Sequence, residues 1–115
     1  MTRTAVIMTD TNGCISHWTT EAEVLFGYAA LDAVGQTLDL IVPIEHQEAH
    51  WIGFRRAMAQ PKIKDLTSDL PLCCADGTIR HFAGRLLVLM DPLGTAIGAV
   101  AVFTDKGEVG FRPFG

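Results

Sequence analysis

Ala5-Val6-Ile7-Met8-Thr9-Asp10-Thr11-Asn12-Gly13-Cys14-Ile15-Ser16-His17-Trp18 consists of two β-rich runs separated by Asn-Gly, the strongest short hairpin signal. Immediately afterwards the pattern becomes helical. Thr20-Glu21-Ala22-Glu23 matches a capping box, in which the threonine and glutamate side chains satisfy free backbone N–H groups, and it opens a helix through Val24, Leu25 and Phe26. Gly27 is its stop signal. Ala30 to Val34 can form a further helical turn ended by Gly35, and Leu38 to Val42 leads to Pro43, whose fixed φ suits the start of the next helix. Pro61 ends that helix.

From Leu66 the period is two, with Leu66, Ser68, Leu70, Leu72 and Cys74 on one side. Asp76-Gly77 turns the chain into a long strand, Ile79 to Met90, with Phe82, Leu86, Val88 and Met90 on one face. Asp91-Pro92-Leu93-Gly94 turns it again into a last strand, Ala96 to Thr104. Two strands, several short helices and three strands, with no βαβ rhythm, predict an α+β fold: an antiparallel sheet with helices on one face. The periodicity nominates Met8, Trp18, Leu25, Phe26, Trp51, Phe54, Phe82, Leu86, Val88, Val100 and Val102 for the core or a pocket in it. After Asp105 the pattern dissolves, so residues 1–105 read as one domain and 106–115 as a Gly/Pro-rich tail, either frayed or docked through Phe111 and Phe114.

At 115 residues the chain suits a single core. A formal charge of −4 and the lack of a Lys/Arg cluster among aromatics argue against nucleic-acid binding. No apolar run is long enough to span a bilayer and no signal segment opens the chain, which reads as cytosolic. Cys14, Cys73 and Cys74 do not form a disulfide framework; the adjacent pair would point to opposite faces of a strand, and reduced thiols acting as small apolar residues are the expected state. No Cys-x-x-Cys-His occurs for covalent haem attachment, no glycine elbow surrounds a serine, and no glycine-rich phosphate loop lies in the right context. No enzyme chemistry is legible.

The helix after Pro43 is chemically the most informative. At 3.6 residues per turn, His50, Trp51, Phe54, Ala57 and Met58 share a face, while Glu45, Glu48 and Arg55 point away. A histidine on such a face is either a packed, hydrogen-bonded residue or a ligand for something held in the core. His46 is expected to face solvent, and His17 and His81 lie on strands without a second ligand nearby, which disfavours zinc.

The order of these signals resembles the PAS sensor-domain family over about residues 4 to 105. The resemblance rests on Thr9-Asp10-Thr11-Asn12-Gly13-Cys14-Ile15, Trp18 through Tyr28, Val34-Gly35-Gln36, Leu40-Ile41-Val42-Pro43, Ala75-Asp76-Gly77-Thr78 and Gly98 through Asp105. Thr20 stands where many members carry Asn. The resemblance implies a five-stranded antiparallel sheet with short helices on one face and a pocket between them, filled in different members by haem, flavin, a small organic acid or nothing. The flavin-reactive cysteine motif is not matched, since Gly35 is followed by Gln36-Thr37-Leu38-Asp39.

The resemblance to the haem-binding branch implies b-type haem, with iron ligated by His50, seven residues after Pro43. Trp51 and Phe54 would lie beside it, Arg56 would meet a propionate, and Leu70, Leu72, Gly84 and Leu86 would line the distal face. On an unbroken helix Arg56 falls opposite His50, so that pairing is expected only if the helix ends or bends near Gly53 to Ala57. Oxygen sensors of this branch carry a distal arginine before the Asp-Gly turn. Asp65 to Leu70 has none, which favours carbon monoxide, nitric oxide or redox state over O2 as the cue. The alternative is a cofactor-free interaction module, or a pocket for another small ligand. A homodimer is expected, with output passing to a separate protein or to a segment outside these residues.

Overall fold

The computed structural model describes residues 4–61 and 64–105, and for residues 64–69 and 105 the backbone alone. Strands β1 (Thr4–Thr9), β2 (Ile15–Trp18), β3 (Lys64–Cys73), β4 (Ile79–Met90) and β5 (Ala96–Asp105) form one antiparallel sheet in the order β2-β1-β5-β4-β3. β2 and β3 are consecutive in sequence but lie at opposite edges. The chain between them must therefore cross the sheet, and it does so as α1 (Thr20–Phe26), α2 (Ala30–Ala33), 3-10 turns at Leu38–Leu40 and Ile44–His46, and α3 (Gln47–Ala59). The expected α+β architecture is the one observed. The tail from residue 106 lies outside the described residues.

Three connections share one design: an aspartate accepts hydrogen bonds from the loop's own backbone and a glycine takes positive φ. Asp10 Oδ1 accepts from the N–H groups of Asn12 and Cys14 at 2.9 and 3.0 Å, with Gly13 at φ 82°. Asp76 Oδ1 accepts from Thr78 N and Oγ1 at 3.0 and 2.6 Å, and Asp91 Oδ1 from Leu93 N and Thr95 N, both at 2.9 Å. No non-glycine residue among those described has positive φ, so Asn12-Gly13 is a wider loop than the two-residue hairpin expected.

The capping box is displaced by one residue. Thr19 is extended (φ −76°, ψ 167°) and is the N-cap, its Oγ1 accepting from Ala22 N at 3.3 Å and from Val6 N at 3.1 Å. Glu23 does not reach back; its Oε2 accepts from Ala30 N at 2.6 Å and so holds the start of α2. Gly27 ends α1 at φ 87°, as its position predicts. Pro43 opens a 3-10 turn, and the α-helix carrying His50 begins only at Gln47.

Pairing register divides the sheet into two faces. Ala5, Ile7 and Thr9 of β1 share the helix-facing side with Ala99, Ala101 and Phe103 of β5 and with Phe82, Gly84, Leu86 and Val88 of β4. Met8, Val100 and Val102, expected in the core or a pocket in it, alternate with the helix-facing residues, as Val6 does, and are only half-buried, although Val100 also borders the cavity described below. Both parities are apolar here, so alternation alone does not choose between them.

The helix-facing side has two unequal halves. Beneath α1, Phe26 packs on Phe82 and Phe103 at centroid distances of 4.9 and 5.9 Å, and Trp18 on Phe26 at 5.6 Å. Trp18 Nε1 donates to Tyr28 O at 2.9 Å, satisfying its one buried donor. Burying each large side chain contributes about 1.5–3 kcal/mol, so this half carries much of the stability. Gly84 sits here because a Cβ would lie 2.6 Å from Phe103 Cδ1 and 3.1 Å from Leu70 Cδ1. Towards α3, Phe103 gives way along β5 to Ala101 and Ala99, and the packing thins.

Candidate functional site

Helix α3 buries none of its residues, although one face is apolar. Between that face and the alanine half of the sheet lies a cavity of about 490 Å³. Its helix wall includes Ala49, His50, Gly53, Phe54, Arg56, Ala57, Met58 and Gln60; its floor is Ile7, Thr9, Leu86, Val88, Ala99 and Ala101, with Leu38 closing one side. Small ligands occupy concave, mostly apolar pockets of roughly 300–1,000 Å³ with a few polar groups, and this cavity has that character.

His50 is half-buried with its ring against Phe54 (6.1 Å, 21° between planes) and edge-on to Trp51 (4.8 Å, 70°). Its Nδ1 is buried and has no hydrogen-bond partner among the described residues. Burial lowers the imidazole pKa from its ordinary 6.5, while the nearby Asp39 carboxylate pulls it partly back up. A neutral imidazole that lines a cavity can donate or accept a hydrogen bond there, or offer a lone pair to a metal.

Trp51 serves a different purpose from the one its position suggests. It does not line the cavity. Its Nε1 donates to Asp39 Oδ1 at 2.6 Å, and its six-membered ring covers Gly13, where any Cβ would overlap it. α3 is thus tied to the β1–β2 loop from outside while its inner face stands open. Phe54 packs edge-on against Trp51 at 5.4 Å.

Of the residues nominated from sequence, the structure brings together His50, Phe54, Arg56 and Leu86 around the cavity. Arg56 joins them although α3 runs unbroken from Gln47 to Ala59, so no bend is required. Leu70, Leu72 and Gly84 lie elsewhere, in or against the aromatic core. The side chains of Asp65 to Asp69, where a distal arginine was sought, lie outside the described residues. Val88, nominated for the core or a pocket, and Met58, placed on the His50 face, also line it, whereas Thr9, Gln60, Ala99 and Ala101 went unnominated. The signal for the last two was available: alanines at alternate positions of a strand whose next inward residue is Phe103.

A haem fits this site in part. His50 could supply one axial imidazole and Arg56 a cation at the mouth for a propionate. The described residues provide no carbonyl or carboxylate for Nδ1, the partner that ligating histidines usually have. No three His, Cys, Asp or Glu gather among the described residues, though haem needs no such group. No helix among them is long and apolar enough to cross a membrane.

A single-layer antiparallel sheet, crossed on one face by short helices that leave a ligand-sized cavity, defines a small-ligand or interaction module. The chain belongs to the PAS family: the PAS fold model matches residues 2–106. PAS domains are in general sensory or interaction modules rather than enzymes. The PAS domain of a Colwellia psychrerythraea protein superposes with a TM-score of 0.77 at 22% identity, covering 89% of this chain and 85% of that one. An RNA-binding light-oxygen-voltage receptor matches with a TM-score of 0.75 at 17% identity, over 90% of this chain and 30% of the other. The PAS domain of the Cronobacter turicensis quorum-sensing receptor RpfR, in complex with BDSF, matches with a TM-score of 0.73 at 15% identity, over 90% and 93%. A search of the curated proteins returned no match. At these identities the likeness establishes the fold and does not select the haem-binding branch.

Proposed function

We propose that this PAS domain is a cytoplasmic sensor whose α3 cavity holds a small, mostly apolar organic molecule, and that the molecule's arrival repositions α3. The observation that carries the reading is the apolar face of α3, only half-buried, across a cavity floored by Ala99 and Ala101. A helix normally gains most of its stability by packing such a face, and here a ligand supplies the missing contact. The RpfR domain, solved with BDSF and with C12:0, is a precedent for occupancy of this fold. Organic extraction of purified protein followed by mass spectrometry tests the reading. A compound stoichiometric with the wild type and lost from Ala101→Leu supports it; an empty extract and no melting response to added alkyl ligands count against it.

The second reading is b-type haem on His50, favoured by an imidazole that lines the cavity. Added haemin would then give a Soret band that shifts with carbon monoxide, nitric oxide or reduction. His50→Ala would abolish it, and His46→Ala and His81→Ala would not. Under either reading we propose a homodimer that signals to a separate chain. Val6, Met8 and Val102, half-buried and alternating with the helix-facing residues, support a two-fold contact on the other face of the sheet. Light scattering that gives a monomer at high micromolar concentration would reject it.

A further inference from the structure

We infer that the cavity's ligand carries a carboxylate, held at the mouth by Arg56 with Gln60 beside it, while its alkyl body lies on Ala57, Leu86, Ala99 and Ala101. This rests on the reading of the cavity as an apolar-ligand site and adds the ligand's charge.

Among the described residues that line the cavity, Arg56 carries the only formal charge, and none is Asp or Glu. The chain as a whole is −4, so a cation unaccompanied by an acid among the described lining residues is not a general property of the surface. Arg56 makes no ion pair with another described residue, whereas Arg80 and Arg85 are both engaged. Arg56 and Gln60 are one helical turn apart and therefore neighbours on the surface of α3. A guanidinium offers paired N–H donors matched to a carboxylate, and a side-chain amide adds one more.

The other polar groups do not compete for the head group. Thr9 Oγ1 already donates to Asp10 O at 3.0 Å. His50 lies six residues before Arg56, about 9 Å along the helix axis, and so faces the body of the ligand. At about 30 Å³ per water-sized group, the 490 Å³ available accommodates roughly sixteen such groups. A medium-chain acid such as decanoate fits with its head in solvent-facing polar company.

The test is calorimetric titration of the full chain with decanoate and with 1-decanol at fixed ionic strength. Wild type, Arg56→Gln and Arg55→Gln are compared, Arg55 being an adjacent exposed cation that does not line the cavity. Decanoate should bind the wild type about tenfold or more tighter than decanol, the loss of one charge-assisted contact. Arg56→Gln should erase that difference by weakening decanoate alone, and Arg55→Gln should preserve it. If decanol binds as tightly as decanoate, or both arginine variants weaken decanoate equally, the carboxylate inference is wrong and the apolar cavity reading stands. If the wild type binds neither compound, the cavity reading itself fails and takes the inference with it.

Discussion

Two substitutions on the helix-facing side of the sheet separate its packed half from its open half. Gly84 pairs with Phe103, and Leu86, two residues further along β4, pairs with Ala101. Gly84→Ala puts a methyl group 2.6 and 2.8 Å from Phe103 ring carbons and 3.1 Å from Leu70. Overpacking of this kind costs about 1–3 kcal/mol, against a gain of roughly 0.5–1 kcal/mol for replacing a strand glycine. The net is destabilising. Ala101→Leu adds far more volume, but Ala101 borders the cavity. Its three added carbons find space, and at about 0.8 kcal/mol each they stabilise by at most about 2.4 kcal/mol. Urea unfolding without added ligand measures both, provided the m-values match wild type. The midpoint should fall for Gly84→Ala and hold or rise for Ala101→Leu. A loss of more than 1 kcal/mol in Ala101→Leu would mean that α3 closes onto the sheet in solution and the cavity does not exist there.

Gly13→Ala should destabilise by about 1–3 kcal/mol, since it combines a left-handed backbone (φ 82°) with overlap on the Trp51 ring; a wild-type melting temperature would refute the docking of α3 on this loop. Asp39→Ala should cost on the order of 1 kcal/mol through the lost Trp51 hydrogen bond. It should also lower the His50 pKa further, because the Asp39 charge raises it, and an NMR titration of the imidazole reads that shift. In the native state His50 binds its proton below the ordinary 6.5, so the unfolded chain holds more protons in the window beneath that value. Its contribution to stability is therefore complete above about pH 6.5 and is lost as the pH falls through the lower native pKa. His50→Phe should flatten this part of the urea-midpoint profile between pH 7.5 and 5, and an unchanged profile would contradict the burial of the ring.

Element order and punctuation were readable from residues whose physics is local. Asp10, Asp76 and Asp91 with their glycines make turns in almost any context, and Gly27 ends a helix because it alone accepts φ 87° at no steric cost. The cap was misplaced by one residue because Thr19 and Thr20 have the same chemistry. What decides between them is a tertiary bond, Val6 N to Thr19 Oγ1. Sheet facing was legible in β4, where Phe82, Leu86 and Val88 alternate with Arg85. It was not in β1 and β5, where valines and Met8 occupy the second face. At the site, His50, Phe54 and Leu86 followed from periodicity, but Trp51 turned outward because Asp39 offers its indole an acceptor. A cavity is set by what is small, and Ala99 and Ala101, alternating before Phe103, signal one only when small residues are read along with large ones.

The central claim is that a ligand enters the space between α3 and the alanine half of the sheet. A nitrogen-15 NMR titration of the full chain with decanoate maps this directly. The account predicts saturable shifts concentrated at His50, Gly53, Ala57, Leu86, Val88, Ala99 and Ala101, absent from the same titration of Ala101→Leu. Shifts that instead cluster around the shallow hollow formed by Val24, Gly27, Asp76 and Arg80, or that persist unchanged in Ala101→Leu, would contradict it.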